Sequence, residues 1–435
     1  MSGSTLDHWW DRYAARVQGM TTSEIRALFS VASRPEVVSL AGGMPYTAAL
    51  PMDSIRGLID ELMTTNGPTA LQYGSGQGEL PLREAICDVM ALEGIESSAE
   101  EIVVTVGSQQ ALNLMAMVFL DPGDVVIAEA PTYVGALSSF STSMCDVVQV
   151  AMDDDGLVPS ALRETIDRLA EAGRRVKFLY TVPNFHNPAG VTLAEYRRDE
   201  ILEIARSNDI LVLEDNPYGL LGLDHEPDRA LCARDPDNVV YLGSFSKTFA
   251  SGLRVGWARA PHSIKDKLVL VSEAQVLCPP QLNQQIVTRY LTTQPWQDQI
   301  TVYKDLYRKR RAAMLDSLES LMPPGTHWTK PAGGFYVWLT LPDGLDGKAM
   351  LPRAVNSRVA YVPGNAFFAD GSGRASMRLS YCFPPPERIR EGVRRLAGVI
   401  EEEMDLVTTF GRGTAAPYRH GRQAPTANAP GPEVQ

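Results

Sequence analysis

EIVVTVGSQQALNLMAMVFLDPGDVVIAE, Glu101 to Glu129, reads as a strand, a helix, a turn and a second strand in one uninterrupted run. Ile102–Val106 is apolar and β-branched, and Gln109–Leu120 spaces its apolar residues as one face of a helix does. Asp121-Pro-Gly-Asp124 carries the chemistry of a tight turn, and Val125–Glu129 resumes a β-branched run. Two strands joined through a helix lie parallel, because the crossover returns the chain to the same end of the sheet. The alternation continues to about Pro261, with further strands expected at Val176–Thr181, Ile210–Glu214, Val239–Leu242 and Leu253–Ala258. The expected class is therefore α/β, a mainly parallel sheet covered by helices. Ligands on such sheets bind beyond the carboxyl ends of the strands, so the polar residues after each run are the candidates for chemistry.

Beyond this region the pattern is less regular and suits a smaller α+β domain. Arg308–Leu321 reads as a helix, Gly333–Leu341, Ala360–Val362 and Ser376–Ser380 as strands, and Glu387–Met404 as a closing helix. From about Thr408 the chain is rich in Gly, Pro, Ala, Arg and Gln without periodicity, the composition of a disordered tail. The expected division is an arm and part of the small domain over 1–60, a large domain over 61–297, the rest of the small domain over 298–407, and a tail over 408–435. A chain of 435 residues is too long for one small core, which agrees with that division.

The net charge of −12 and the lack of a dense Lys/Arg block argue against a nucleic-acid surface. Five scattered cysteines with no C-x-x-C pair suit free thiols in a reducing compartment and argue against a disulfide framework or a metal site. Met1 to Gln18 has no basic region followed by an apolar stretch, and no run of about 20 apolar residues could span a bilayer. A cytoplasmic protein acting on small molecules is expected.

Four segments after strand candidates carry the chemistry. Tyr241-Leu-Gly-Ser244-Phe-Ser246-Lys247-Thr248 sets a lysine in a hydroxyl-rich turn, with Arg254 a few residues on. An amine partly shielded from water there is free to attack an aldehyde, while Ser244, Ser246 and the planar fork of Arg254 suit a phosphate. Leu213-Glu-Asp215-Asn-Pro-Tyr218 places a carboxylate at a strand end with a phenol close behind; Glu214 should point to the opposite face and be structural. Val182-Pro-Asn-Phe-His-Asn187-Pro188-Ala-Gly190 presents an amide donor in a turn. Val106-Gly107-Ser108-Gln109 opens a helix whose first N–H groups face an anion. Amine, acid, donors and anion cradle are what pyridoxal 5'-phosphate (PLP) requires: a lysine for its aldehyde, an acid for its ring nitrogen, donors for its ring oxygen and a phosphate site. Tyr73-Gly-Ser-Gly-Gln-Gly78 is no nucleotide loop, since no strand precedes it and no lysine follows.

Taken in order along the chain, these segments resemble the fold-type I, class I/II aminotransferases, and especially the 2-aminoadipate/kynurenine aminotransferase branch. The resemblance runs from about Gly19 to Val407. It is carried by SLAGGMP (Ser39–Pro45), LQYGSGQGELPLREAI (Leu71–Ile86), TVGSQQAL (Thr105–Leu112), EAPTYVGAL (Glu129–Leu137), PNFHNPAGVTL (Pro183–Leu193), LEDNPYG (Leu213–Gly219), GSFSKTFASGLRVGW (Gly243–Trp257), PAGGFYVWL (Pro331–Leu339), YVPGNAFF (Tyr361–Phe368) and RLSY (Arg378–Tyr381).

The resemblance implies a PLP enzyme moving an amino group from an L-amino acid to a 2-oxo acid, with Lys247, Asp215 and Tyr218 catalytic. It implies that Tyr133 stacks on the cofactor ring, that Tyr73 reaches the phosphate of a neighbouring subunit, and hence a homodimer with shared sites. Arg378, with Asn187 and Gly43, would hold the substrate, and Arg26, on the helix expected at Thr22–Ser30, would meet a distal carboxylate. Two departures leave the substrate open: His186 stands where the branch usually has glutamine, and Leu277-Cys-Pro-Pro280 replaces a more polar segment. The other readings of the same scaffold are a PLP lyase or decarboxylase, and a regulatory effector domain. The last needs a DNA-binding domain, for which the roughly two dozen residues before Arg26 are too short.

Overall fold

A computed structural model describes residues 7–18, 20, 34–226 and 228–410. The N-terminal part holds one short strand, β1 (Val38–Ser39). The main sheet is built from β2 (Ile102–Thr105), β3 (Val125–Ala130), β4 (Asp146–Asp153), β5 (Gly156–Leu157), β6 (Val176–Thr181), β7 (Leu211–Asp215), β8 (Val239–Ser244) and β9 (Gly256–Arg259). Their spatial order is β2-β9-β8-β7-β6-β3-β4-β5. The contiguous run β8-β7-β6-β3-β4 is parallel throughout.

Successive residues of these strands face opposite sides, and both sides are apolar. Val126, Ala128, Phe178, Leu213 and Val240 pack with Ala111, Leu112 and Met115 of the helix Ser108–Phe119. Val125, Ile127, Leu179, Val212 and Val239 pack with Ile86 and Met90 of the helix Leu80–Ala91 and with Ile201 and Leu202 of the helix Glu195–Ser207. A sheet buried on both faces gives continuous apolar runs, which is why its strands were legible in the sequence.

Two features differ from the sequence reading. β9 runs antiparallel to both β8 and β2, because residues 245–255 form a short return loop with no room for a crossover helix. β4 was not foreseen: its segment has acidic ends and only Val150 is fully buried, so it lacks the apolar run of an inner strand.

The second sheet comprises β10 (His327–Trp328), β11 (Tyr336–Thr340), β13 (Val362–Pro363) and β14 (Ser376–Ser380), antiparallel in the order β10-β11-β14-β13. β12 (Val359–Ala360) pairs instead with β1, in parallel. Leu40 N–H donates to Ala360 O at 2.8 Å, and Ser380 N–H donates to Leu40 O at 2.7 Å. The N-terminal segment is thus stitched to the C-terminal sheet, so that both ends of the chain build the smaller unit. The helices Trp296–Leu321 and Pro386–Phe410 pack together along this side.

The first of these helices begins well before the expected Arg308, at the break made by Pro295. The last overruns Thr408, where the tail was expected to start. The rest of the expected tail, 411–435, and the expected helix Thr22–Ser30 with Arg26 lie outside the described residues. Among the described residues no helix is long and apolar enough to cross a membrane, and no cluster of metal-ligating side chains occurs.

Candidate active site

A cavity of about 520 Å³ opens at the carboxyl ends of β6, β7 and β8. Its walls include Ser108, Gln109, Tyr133, Asn187, Asp215 and Tyr218 from the segments that follow strands. Ser244 ends β8, Ser246, Lys247 and Arg254 come from the β8–β9 loop, and Gly43, Tyr336 and Arg378 from the smaller unit. Of the expected site residues that are described only Tyr73 stands apart, 75% exposed and off the cavity wall; Arg26 lies outside the described residues.

Lys247 sits where the chain leaves β8 for the return into β9. Its Nζ donates to Gly43 O at 2.8 Å and lies about 6 Å from the ring centres of Tyr218 (6.0 Å) and Phe335 (5.8 Å). Among the described residues it has no acidic ion-pair partner. Gly43 must be glycine, because a Cβ there would overlap the Tyr336 hydroxyl.

Asp215 ends β7 and is 3% exposed. Its Oδ2 accepts from the Tyr180 hydroxyl at 2.8 Å, while Oδ1 is buried with no hydrogen-bond partner. Burial pushes its carboxyl up to about 6, against the opposing pull of the Tyr180 hydrogen bond and the nearby Lys247 amine. A buried acid oxygen left without a donor is costly and calls for a partner. A protonated ring nitrogen at Oδ1 would satisfy that oxygen and draw the carboxyl back to its ionised form.

The anion cradle is built at the start of the helix Ser108–Phe119. Gly107 precedes it with φ +72°, and a Cβ there would overlap the Arg254 guanidinium. Gly256 on β9 lets that strand pass close by, since its Cβ would lie 2.6 Å from Ser108 N. Arg254, held at φ +54°, makes only long contacts, donating to Ser246 Oγ at 3.3 Å and to Val106 O at 3.3 Å. Free helix N–H groups, two serines and a lightly engaged guanidinium form a site for a dianion. Tyr133 flanks the same space, its hydroxyl donating to Gln109 Oε1 at 3.4 Å. Burial pushes that phenol up to about 12, so it stays neutral. A Cβ at Gly135 would overlap both the Tyr133 ring and the Gln109 amide.

Arg378 lies on β14, which runs between β11 and β13, and is only 3% exposed. It donates to Asn187 Oδ1 and to Ala41 O, both at 2.8 Å, and its guanidinium lies 4.2 Å from the Tyr336 ring centre. Its Nε is buried without a partner, and it forms no ion pair among the described residues. A buried cation short of an anion suits a carboxylate. Asn187 Nδ2 reaches toward the Tyr218 hydroxyl at 3.5 Å, which in turn donates to the Tyr336 hydroxyl at 3.4 Å. Burial first, then Tyr336, raises the Tyr218 phenol and keeps it a donor.

As expected, Glu214 faces away, accepting from the backbone N–H groups of Leu231 (3.0 Å) and Cys232 (2.8 Å). His186 is not on the cavity wall: its Nδ1 accepts from Ala189 N–H at 3.2 Å, and its Nε2 lies 3.1 Å from Glu129 Oε2 without hydrogen-bond alignment. That departure from the family pattern therefore supports the Asn187 turn from beneath. Leu277 to Pro280 likewise lie off the cavity wall. Two residues were assigned no role from sequence. Tyr336 lay inside the quoted GGFYVWL stretch, and Tyr180 reads as the interior of a strand, with no local signal that its hydroxyl meets Asp215.

The groups present fit PLP: an acid oxygen awaiting a ring N–H, a lysine amine, donors beside them and a dianion cradle. The comparisons with known proteins agree. The sequence pattern of the family described as aminotransferase class I and II matches residues 35–396, and the chain belongs to that family. Its reaction is PLP-dependent transamination between an amino acid and a 2-oxo acid. The chain is 43% identical over 408 residues to aromatic-amino-acid aminotransferase 1 of Thermococcus litoralis, covering 93% of this chain and 97% of that protein. The solved structure of Pyrococcus horikoshii kynurenine aminotransferase, in complex with PMP, superposes with a TM-score of 0.88 at 40% identity, covering 92% of this chain and 100% of that one. The alpha-aminoadipate aminotransferase of Thermus thermophilus, complexed with N-(5'-phosphopyridoxyl)-L-leucine, gives 0.85 at 34% identity, with coverage of 92% and 100%.

Proposed function

We propose that this cavity takes the amino group from an L-amino acid of aromatic, branched-chain or 2-aminoadipate type and delivers it to 2-oxoglutarate in a ping-pong cycle. The observation that carries the site assignment is the partnerless buried Asp215 Oδ1 in the same cavity as Lys247. The names of the relatives, which span aromatic, kynurenine and aminoadipate donors, support the breadth of the substrate class.

PLP, when bound, supplies an electron sink for negative charge at the substrate Cα. Lys247 would hold the cofactor by its aldehyde and, as a free amine, would take and return the substrate Cα proton. Asp215 would keep the ring nitrogen protonated, Asn187 and Tyr218 would donate to the ring oxygen, and Tyr133 would flank the ring. Ser108, Gln109, Ser244, Ser246 and Arg254 hold the phosphate. Arg378 grips the α-carboxylate beside Asn187 and Gly43, and Arg26 meets the distal group of an acidic donor.

Tyr73, exposed in the single chain, completes the phosphate site of a second copy, which makes the enzyme a homodimer. The large unit over 61–297 carries the cofactor, and the smaller one, from both chain ends, carries the substrate arginine. Five free cysteines suit a cytoplasmic enzyme.

The test is a half-reaction screen. Holoenzyme is mixed with single amino acids, including 2-aminoadipate and kynurenine, with no acceptor present, and the cofactor absorbance is followed. Stoichiometric conversion to the pyridoxamine form with donors of this class is expected. Turnover without that conversion would point to a lyase or decarboxylase, and failure of acidic donors alone removes the role given to Arg26.

A further inference from the structure

Behind the cavity, away from its wall, a chain of buried polar groups joins the two turns that carry Asp215 and Asn187. It begins at Glu93, which follows the helix Leu80–Ala91 and is 3% exposed. Glu93 Oε1 accepts from Asn216 Nδ2 at 2.6 Å, and Oε2 accepts from the Tyr241 hydroxyl at 2.6 Å. Asn216 is the residue after Asp215. Its Oδ1 accepts from Asn184 Nδ2 at 3.4 Å, and Asn184 Oδ1 accepts from Arg198 at 2.7 Å. Arg198, fully buried, also donates to Leu193 O at 3.1 Å and to Arg229 O at 3.0 Å. A Cβ on Gly219 would overlap Glu93 Oε1, so the turn that carries Tyr218 has been left open for this carboxylate.

We propose that Glu93 is a positioning residue for transamination, its carboxylate clamping the turn after β7 and, through Asn216 and Asn184, the turn after β6. It does not line the cavity. Both of its oxygens receive hydrogen bonds, a pattern only the ionised form accepts in full. A proton on Oε1 sets a donor against the Asn216 amide, and a proton on Oε2 reverses the Tyr241 hydrogen bond; either way the charge that strengthens both contacts is lost and the clamp loosens. The titratable and charged groups facing Glu93 are Tyr241 from β8, Glu214 from β7 and Arg198 from the helix Glu195–Ser207. Burial pushes its carboxyl up to about 7, while the Tyr241 and Asn216 hydrogen bonds and the Arg198 charge pull the other way. The clamp therefore weakens on the acid side of neutrality. The inference rests on the role given above to Asp215.

The test titrates apoprotein with PLP across a pH series, comparing wild type with Glu93→Gln, which keeps the shape and removes the charge. At about pH 8 the variant is expected to bind PLP about tenfold more weakly, the scale of a weakened hydrogen bond to a charged group. The gap should close by about pH 6, where wild-type Glu93 is itself neutral. Acid limbs from Asp215 and from the cofactor phosphate are common to both proteins, so the difference profile isolates Glu93.

Equal affinity at about pH 8 overturns the proposal, and so does a gap of constant size, which marks a merely structural residue. Tyr241→Phe serves as a second variant. It deletes a donor that favours the carboxylate, so the midpoint of its affinity profile should move to higher pH, and an unmoved midpoint also overturns the proposal. Wild-type apoprotein that takes up no PLP at any pH would instead strike the cofactor site itself, and this inference with it.

Discussion

Replacing Arg378 by lysine separates charge from geometry at the substrate end of the cavity. The guanidinium spends one donor on Asn187 Oδ1 and one on Ala41 O, both at 2.8 Å, and retains further donors in its fork, among them the unpartnered Nε. An ammonium has three donors in all, so meeting the same two acceptors leaves one for a substrate carboxylate where arginine offers two. Losing one hydrogen bond to a charged group removes about 2 kcal/mol. Losing the flat cation over Tyr336, at 4.2 Å, removes about 0.5 to 1 kcal/mol more. The sum, about 2.5 to 3 kcal/mol, corresponds to a fall on the order of 100-fold in kcat/KM.

The assay is the half-reaction rate constant for an L-amino acid, set beside that for the corresponding amine without a carboxylate. The amino acid should lose about two orders of magnitude, while the amine and the affinity for PLP stay within about threefold of wild type. If both substrates fall together, or the amino acid reacts within about threefold of wild type, Arg378 does not hold the α-carboxylate.

Asp215→Asn should cripple Cα proton transfer by at least about 100-fold, read as the half-reaction rate, because an amide cannot keep the ring nitrogen protonated. The same variant tests the buried acid. The folded-state carboxyl is raised to about 6, so its contribution to apoprotein stability is present below the unfolded value near 4 and is lost as pH rises through about 6. Thermal melts over that window should show wild type losing stability relative to the variant as pH rises, and parallel profiles would contradict the assignment. Gly107→Ala drives a Cβ into the Arg254 guanidinium at a left-handed position. It should weaken PLP about tenfold or more and leave pyridoxal, which lacks the phosphate, unaffected in a binding titration. Mixing inactive Lys247→Ala and Tyr73→Ala chains should restore roughly a quarter of wild-type specific activity, because half the dimers gain one intact shared site. No recovery in subunit-exchange assays would place Tyr73 outside the partner's site.

Lys247, Asp215 and Asn187 were legible because each stands within a few residues of a strand's carboxyl end, a position that local β-branched runs announce. Ser108 was legible for the same reason, as the first residue of a helix after a strand. Arg378 was legible only through the family resemblance: by pattern alone it is a surface charge at a strand edge. Its strand proves to be flanked on both sides, and its partner Asn187 is 191 residues away in the sequence. Tyr180 and Tyr336 were hidden likewise, since an aromatic residue in an apolar strand looks like core until a neighbouring strand brings a polar partner to its hydroxyl.

The sequence by itself therefore determined the α/β class, the lysine, the acid and the anion-binding helix start, all of which depend on periodicity and turn chemistry over a handful of residues. Only the tertiary structure decided that β9 reverses direction, and that a partnerless acid oxygen, a lysine amine without an acidic partner and a guanidinium without an ion pair among the described residues open into one cavity. Those facts depend on contacts between residues far apart along the chain and on which polar atoms are left unsatisfied once the core has closed. No local pattern encodes either.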